Sequence, residues 1–319
     1  MALDRLIDAV KRTGNPTVAG LDPKLEYLPP SMVSRHLQEY GETLEGAAAA
    51  IEAYNRELID ALADVVPAVK PQAAYYELYG WPGMRALSRT IAYAREKGLF
   101  VITDGKRNDI GSTMEAYAAA HLGETEVGSR SFEAFGGDAL TVNGYLGADG
   151  IRPLLEICRQ KDKGLFVLVK TSNPSSGELQ DRLLDSGETL YRRMGALCEE
   201  WGETLPGKYG YSGVGAVVGA TWPAQLSELR QALPHTFFLV PGYGAQGGGA
   251  ADVAGAFDSN GDGAVINSSR AILCAWKKEE GCPPEDFAGA ARREALRMKD
   301  ALKSVREIHE EREITLWKR

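Results

Sequence analysis

Within VITDGKRNDI, residues 101–110, a carboxylate, an ammonium and a second carboxylate fall close together as Asp104, Lys106 and Asp109. If the apolar residues before them form a strand, alternation puts Ile102, Asp104 and Lys106 on one face, so that Asp104 and Lys106 enter the same pocket. Asp109 follows just beyond the strand end. A lysine held between two carboxylates stays protonated, which suits it to hand a proton to a developing carbanion and not to form a Schiff base. Three solvated loop charges would show the same spacing, but the apolar strand that carries these favours chemistry. A second cluster joins VPGYGAQGGG, residues 240–249, to INSSRAI, residues 266–272. Glycines there leave backbone N–H groups unobstructed, and Ser269 and Arg270 stand where a helix should begin. A phosphate fits both features, because helix starts and Gly-rich turns bind anions and Arg adds a bidentate clamp.

Eight short apolar runs carry these groups: 16–22, 65–72, 99–106, 138–145, 164–172, 214–221, 237–244 and 263–269. Near-continuous apolar strands imply burial on both faces, as in a parallel sheet covered by helices. Segments with helical spacing lie between them, for example Ile51, Tyr54, Leu58 and Leu62, or Leu190, Met194, Leu197 and Trp201. This alternation predicts an α/β fold, a closed (β/α)8 TIM barrel with inserted helices and a C-terminal helical tail. The whole chain, 1–319, is expected to be a single domain, with the barrel at about 15–275 and the tail at 277–319. In such a barrel catalytic groups sit at the C-terminal ends of strands, and phosphate sits after strands seven and eight. The strand ends here offer Asp22, Lys70, Asp104 with Lys106 and Asp109, Asn143, Thr171 with Ser172, Thr221, the 241–249 loop and Asn267 to Arg270. Surplus length falls after strand one, between 173 and 213, and in the tail. Ala291, Ala295, Met298, Leu302 and Val305 there suit a docked amphipathic helix better than a coiled-coil seam.

Composition narrows the partners. Acidic residues outnumber basic ones by 44 to 36, a net charge of −8, so nucleic acid and anionic membranes are poor partners. The first residues, MALDRLIDAVKRTG, resemble neither a secretory signal nor an anchor, and no apolar run approaches a membrane span. Cys158, Cys198, Cys274 and Cys282 form no C-x-x-C pair, and only four histidines are present. No metal site is expected, the thiols read as reduced, and the compartment as cytoplasmic. Cys158 and Cys198 are expected on helix faces turned to the core.

Taken together, DGKRNDI followed by Thr113, VPGYGAQGG and the strand-eight Arg270 resemble the orotidine 5′-phosphate decarboxylase family, whose signature is D-x-K-x-x-D-I-x-x-T. AGLDP and VKPQAAYYE resemble its longer bacterial subfamily. The resemblance implies a cofactor-free conversion of orotidine 5′-monophosphate to uridine 5′-monophosphate and carbon dioxide in pyrimidine biosynthesis. It implies that Lys106 protonates C6 and that Asp104 sits beside the substrate carboxylate, with Asp109 completing the charged array. Asp109 and Thr113 would reach into a neighbouring subunit's site, making a homodimer. Asp22 and Lys70 resemble ribose contacts. Ser172, or Thr171 one residue earlier, resembles the contact to the pyrimidine amide, and Gln246 with Arg270 the phosphate-gripping pair. Tyr75, Tyr76 and Glu77 read as structural. Two other functions compete: a magnesium-dependent sugar-phosphate decarboxylase or aldolase of the same barrel group, and a non-catalytic phosphate sensor. Lys70 at the end of strand two, where an acid would help hold magnesium, counts against the first.

Overall fold

The computed structural model describes residues 1–244 and 249–316, with side chains described as far as Arg306. Eight parallel strands close into a barrel: β1 (Thr17–Leu21), β2 (Ala68–Pro71), β3 (Phe100–Arg107), β4 (Ala139–Val142), β5 (Gly164–Lys170), β6 (Val214–Val218), β7 (Phe238–Val240) and β8 (Ala264–Ser268). Neighbours follow chain order, and β8 closes on β1 through Thr17 opposite Ile266. The predicted barrel, inserted helices and C-terminal helix are all present. Strand two is shorter than its apolar run, because Val65 and Val66 still donate to the Leu62 carbonyl of the preceding helix. Strand seven stops at Val240, before Pro241 and the positive-φ Gly242.

Two apolar layers fix the frame. Val18, Ala68, Ile102, Ala139, Phe166, Leu239 and Val265 belong to one buried cluster inside the barrel, joined by Leu3, Leu6, Ile7 and Val10 of the helix Ala2–Thr13. That helix plugs the N-terminal end, where Arg5 pairs with Asp138 just before β4. The second layer lies between strands and outer helices and includes Cys158 and Cys198, both buried as expected. The mouth at the C-terminal ends is therefore the open end of an otherwise filled barrel.

The surplus segments fold as follows. Helices Pro30–Tyr40 and Leu44–Leu62 follow strand one. The segment after β5 begins with a turn of 3-10 helix, Pro174–Glu178, and ends in the helix Leu190–Gly202. The tail forms a helix, Phe287–Leu316, whose Ala291, Ala295, Met298 and Leu302 are buried against the barrel's outer layer, so it is a docked helix. Phe287 stacks on Tyr54 at 4.7 Å. An exposed antiparallel hairpin, Thr125–Val127 with Arg130–Phe132, was not anticipated; Gly128 at φ 64° makes its turn. Among the described residues no helix is long and apolar enough to cross a membrane.

Tyr54 links this outer layer to the short helix Arg270–Leu273 after β8, donating its hydroxyl to the Leu273 carbonyl at 2.7 Å in a fully buried site. Tyr54→Phe removes only that bond and leaves the carbonyl without its donor. It is expected to lower the unfolding free energy by about 1–2 kcal/mol, seen as a lower urea midpoint at unchanged slope. An unchanged midpoint would show that the bond does not tie the two elements.

Candidate active site

The barrel mouth opens into a cavity of about 840 Å³ lined from almost every strand end. At its centre lies Asp104, with 9% of its side chain exposed. Lys70 Nζ donates to Asp104 Oδ2 at 2.5 Å, and Lys106 Nζ donates to Oδ1 at 2.6 Å. Gln72 Nε2 adds a bond to Oδ2 at 3.1 Å, and the Thr141 hydroxyl one to Oδ1 at 2.8 Å. Burial works against the Asp104 charge, but Lys70 and Lys106 outweigh it and hold the carboxyl well below the usual carboxylate range. Burial likewise works against the Lys70 ammonium, and Asp104 with nearby Asp22 reverses that and raises its pKa. Lys70 is almost fully enclosed, whereas Lys106 keeps 45% of its side chain exposed to the cavity. A charge-assisted triad of two cations and one anion thus faces an open pocket, with one ammonium buried and the other accessible.

Simple strand alternation is not what joins Asp104 to Lys106. The β3–β4 register pairs Thr103 with Leu140 and then Arg107 with Val142, so β3 bulges between them. Lys106 takes a left-handed φ of 48° in that bulge, and its side chain turns back onto Asp104.

Other expected residues divide clearly. Asp22 lines the cavity, and its Oδ1 is buried with no hydrogen-bond partner. Arg270 lines it from the first residue of the helix Arg270–Leu273. Thr171 and Ser172 both line it, but the Thr171 hydroxyl is engaged, donating to Asn173 Oδ1 at 2.6 Å and accepting from Gln180 Nε2 at 2.7 Å. The Ser172 hydroxyl has no hydrogen-bond partner among the described residues, and Thr221 steadies its backbone by donating to the Ser172 carbonyl at 3.0 Å. Gln246 lies outside the described residues.

The reading of a lysine held between two carboxylates, made from spacing alone, changes within one chain. Lys106 is bonded to one carboxylate and not two. Asp109 lies outside the cavity lining, its Oδ1 accepting the Ile110 N–H at 2.8 Å, and Thr113 is exposed on the following helix, Gly111–His121. The chain turns out of the mouth after Arg107, and this carries both side chains away from their own pocket. Lys70, read as a ribose contact, is bonded directly to Asp104. Sequence reasoning missed Gln72 and Thr141, although Gln72 stands two residues after Lys70 and so on the same side of that strand. It also set Tyr75 aside as structural, whereas Tyr75 lines the cavity. Glu77 is structural, paired with Arg107, and so is Tyr76, fully buried against Asn55.

The segment after β5 supplies the remaining wall, including Asn173, Glu178, Leu179 and Gln180. Lys170, with a side chain 0% exposed, anchors it by donating to Asp181 Oδ1 at 2.6 Å and Ser176 Oγ at 3.2 Å. The ammonium also lies 4.6 Å from the Trp222 ring.

Removing Asp104 leaves Lys70 enclosed without its counter-charge. Asp104→Ala is expected to destabilise the fold by about 3 kcal/mol, measured by urea unfolding. Because the folded-state pKa of Asp104 is depressed, its contribution is complete above about pH 4, the unfolded carboxylate range, and fades as pH falls through the depressed value. The stabilities of wild type and Asp104→Asn should therefore converge in acid. A gap that stays constant from neutral pH into strong acid would refute the pairing.

Comparison with known proteins gives a consistent answer. Residues 42–281 match the model of the orotidine 5′-phosphate decarboxylase / HUMPS family. An orotidine 5′-phosphate decarboxylase of Rhodopirellula baltica is 49% identical over 298 residues, covering 92% of this chain and 96% of that protein. One from Caldicellulosiruptor bescii is 43% identical over 274 residues, covering 86% and 90%. Among solved structures, Leishmania donovani OMP decarboxylase superposes with a TM-score of 0.69 at 29% identity, covering 94% of this chain and 99% of that one.

Proposed function

The chain belongs to the orotidine 5′-phosphate decarboxylase family, and we propose that the Lys70–Asp104–Lys106 triad carries that reaction, turning orotidine 5′-monophosphate into uridine 5′-monophosphate and carbon dioxide. The observation that carries the assignment is a single carboxylate with each oxygen bonded to an ammonium, one buried and one open to the cavity. When the bond from C6 to the carboxylate carbon breaks, the electron pair stays on C6 and carbon dioxide leaves. Lys106 gives its proton to C6, and water returns one to the neutral amine. No electron sink is needed if the site supplies electrostatics and the proton.

Asp104 stands beside the substrate carboxylate, and Lys70 with Gln72 keeps it ionised there. Two like charges about 4 Å apart repel by ~1 kcal/mol in water but ~4 kcal/mol at an effective dielectric of 20, so this effect requires a closed, dry site. Departure of carbon dioxide relieves it while the Lys106 ammonium stabilises the developing charge. Asp22, whose buried oxygen lacks a partner, takes a ribose hydroxyl. Ser172 contacts the pyrimidine amide, a role its neighbour's engaged hydroxyl leaves to it. Arg270 and Gln246 grip the phosphate, and binding energy at that remote end offsets the cost at C6.

The outward course of Asp109 and Thr113 supports a homodimer in which each chain lends these two residues to its neighbour's Lys106. Ile110 between them is 53% exposed, as an interface residue would be in an isolated chain. The chain acts as one domain, with its tail docked on the barrel. Four free cysteines suit the reducing cytoplasm. Against the magnesium-dependent alternative, both Asp104 oxygens are already committed to ammonium groups, which makes it a poor metal ligand.

The direct test is the ultraviolet absorbance change of orotidine 5′-monophosphate with purified protein in chelator; a folded protein without turnover would overturn the function. Lys106→Ala is expected to lower kcat by about 10²–10⁴-fold while product affinity persists. Mixing inactive Lys106→Ala and Asp109→Ala chains should restore activity towards about a quarter of wild type, since each hybrid dimer holds one intact site. Absence of any recovery after subunit exchange would rule out sharing.

A further inference from the structure

Thr141, in β4, is 1% exposed and faces the irregular stretch of β3. Because Thr103 pairs with Leu140 and Arg107 with Val142, the three residues Asp104, Gly105 and Lys106 stand opposite Thr141 alone. Lys106 is one of only two non-glycine residues among the described ones with positive φ. Such a conformation persists only where its surroundings hold it. The Lys106 amide, displaced from the regular ladder, donates to Thr141 Oγ1 at 3.0 Å. A backbone N–H can only donate, so the proton of that hydroxyl must point elsewhere, and Asp104 Oδ1 lies 2.8 Å away. That oxygen also accepts from Lys106 Nζ. Backbone amide, hydroxyl, carboxylate and ammonium therefore close a ring of three hydrogen bonds.

We propose that Thr141 is a positioning residue for the decarboxylation, its one hydroxyl fixing both the left-handed turn from which Lys106 presents its ammonium and the rotation of the Asp104 carboxylate. The inference rests on reading Lys106 as the proton donor. Valine at this position keeps the shape and loses both bonds. The Lys106 amide is then left without its acceptor, and Asp104 keeps Lys70 and Gln72 on Oδ2 while Oδ1 keeps only the Lys106 ammonium. The groups read as substrate contacts, Asp22, Ser172 and Arg270, lie on other strand ends and are untouched. The loss should therefore fall on the chemical step and not on binding. Serine retains the hydroxyl and gives up the buried γ-methyl with its packing and rotamer restriction.

The experiment measures kcat and KM for orotidine 5′-monophosphate, inhibition by uridine 5′-monophosphate, and thermal unfolding, for wild type, Thr141→Val, Thr141→Ser and Lys106→Ala. Thr141→Val is expected to lose about 10–100-fold in kcat with KM and product inhibition within about threefold. Thr141→Ser should recover most of kcat. If the valine variant does not fold, Thr141→Ala against Thr141→Ser asks the same question, with low kcat expected for alanine and near-normal kcat for serine. Wild-type kcat in the valine or alanine variant overturns the proposal, as does an equal loss in the serine variant or a loss confined to KM. Lys106→Ala separates the layers: if it turns over normally, the proton-donor reading falls, and if it is inactive while Thr141→Val is unimpaired, only the positioning role falls.

Discussion

Asp104 stays ionised although its side chain is only 9% exposed, because two ammonium groups and two neutral donors converge on it from three adjacent strands. Lys70 and Gln72 come from the end of β2, Lys106 from the bulged end of β3 and Thr141 from β4. An isolated buried carboxylate would take up a proton to escape its desolvation cost, and an isolated buried ammonium would lose one. The buried charges of Asp104 and Lys70 are therefore conditional on each other. The strand order β2–β3–β4 and the bulge that turns Lys106 back bring these groups onto one carboxylate.

The same device recurs on the opposite side of the mouth. Lys170, at the end of β5, is fully enclosed and satisfied by Asp181, Ser176 and the face of Trp222. There the buried ammonium ties an inserted segment to the barrel, while Lys70 ties a carboxylate to the cavity floor. Both sit one layer above an apolar lumen plugged from below by Leu3, Leu6 and Val10. Cohesion thus comes from the lumen and outer layer, and the mouth is left with polar groups that are stable only as networks.

Much of this was legible in the sequence, for reasons that can be traced to particular residues. The eight strands announced themselves because strands buried on both faces must be apolar nearly throughout, as TVAGL and GLFVLVK are. Asp104 and Lys106 stood out as charges at the end of such a run. What could not be read was what depends on a neighbour distant in the chain. Nothing in VKPQ says that Lys70 meets Asp104, 34 residues on. Nothing in DALTVNGY says that Thr141 faces a bulge, because period-2 reasoning assumes the regular ladder that the bulge interrupts. Alternation brought Lys106 to the right pocket for an incomplete reason. The exit of Asp109 from its own cavity does not follow from spacing along the chain, which does not say where the chain turns after Arg107; only the family resemblance implied it.

An acidic chain with a net charge of −8 that binds a phosphate and a carboxylate raises an electrostatic difficulty that these networks resolve. Exposed charges are screened over about 8 Å at physiological ionic strength, so acidic residues on the outer helices contribute little field at the mouth. Lys70 is not screened in this way, because almost no water reaches it. Lys24, Lys106 and Arg270 join it in lining the cavity, and Asp22, Asp104 and Glu178 cancel only part of their charge. The potential that an anionic ligand meets is set by a few groups within bonding distance and not by the chain's overall balance. Attraction of this short-range kind acts after the ligand has entered. It strengthens further as water is expelled, since the effective dielectric falls with it.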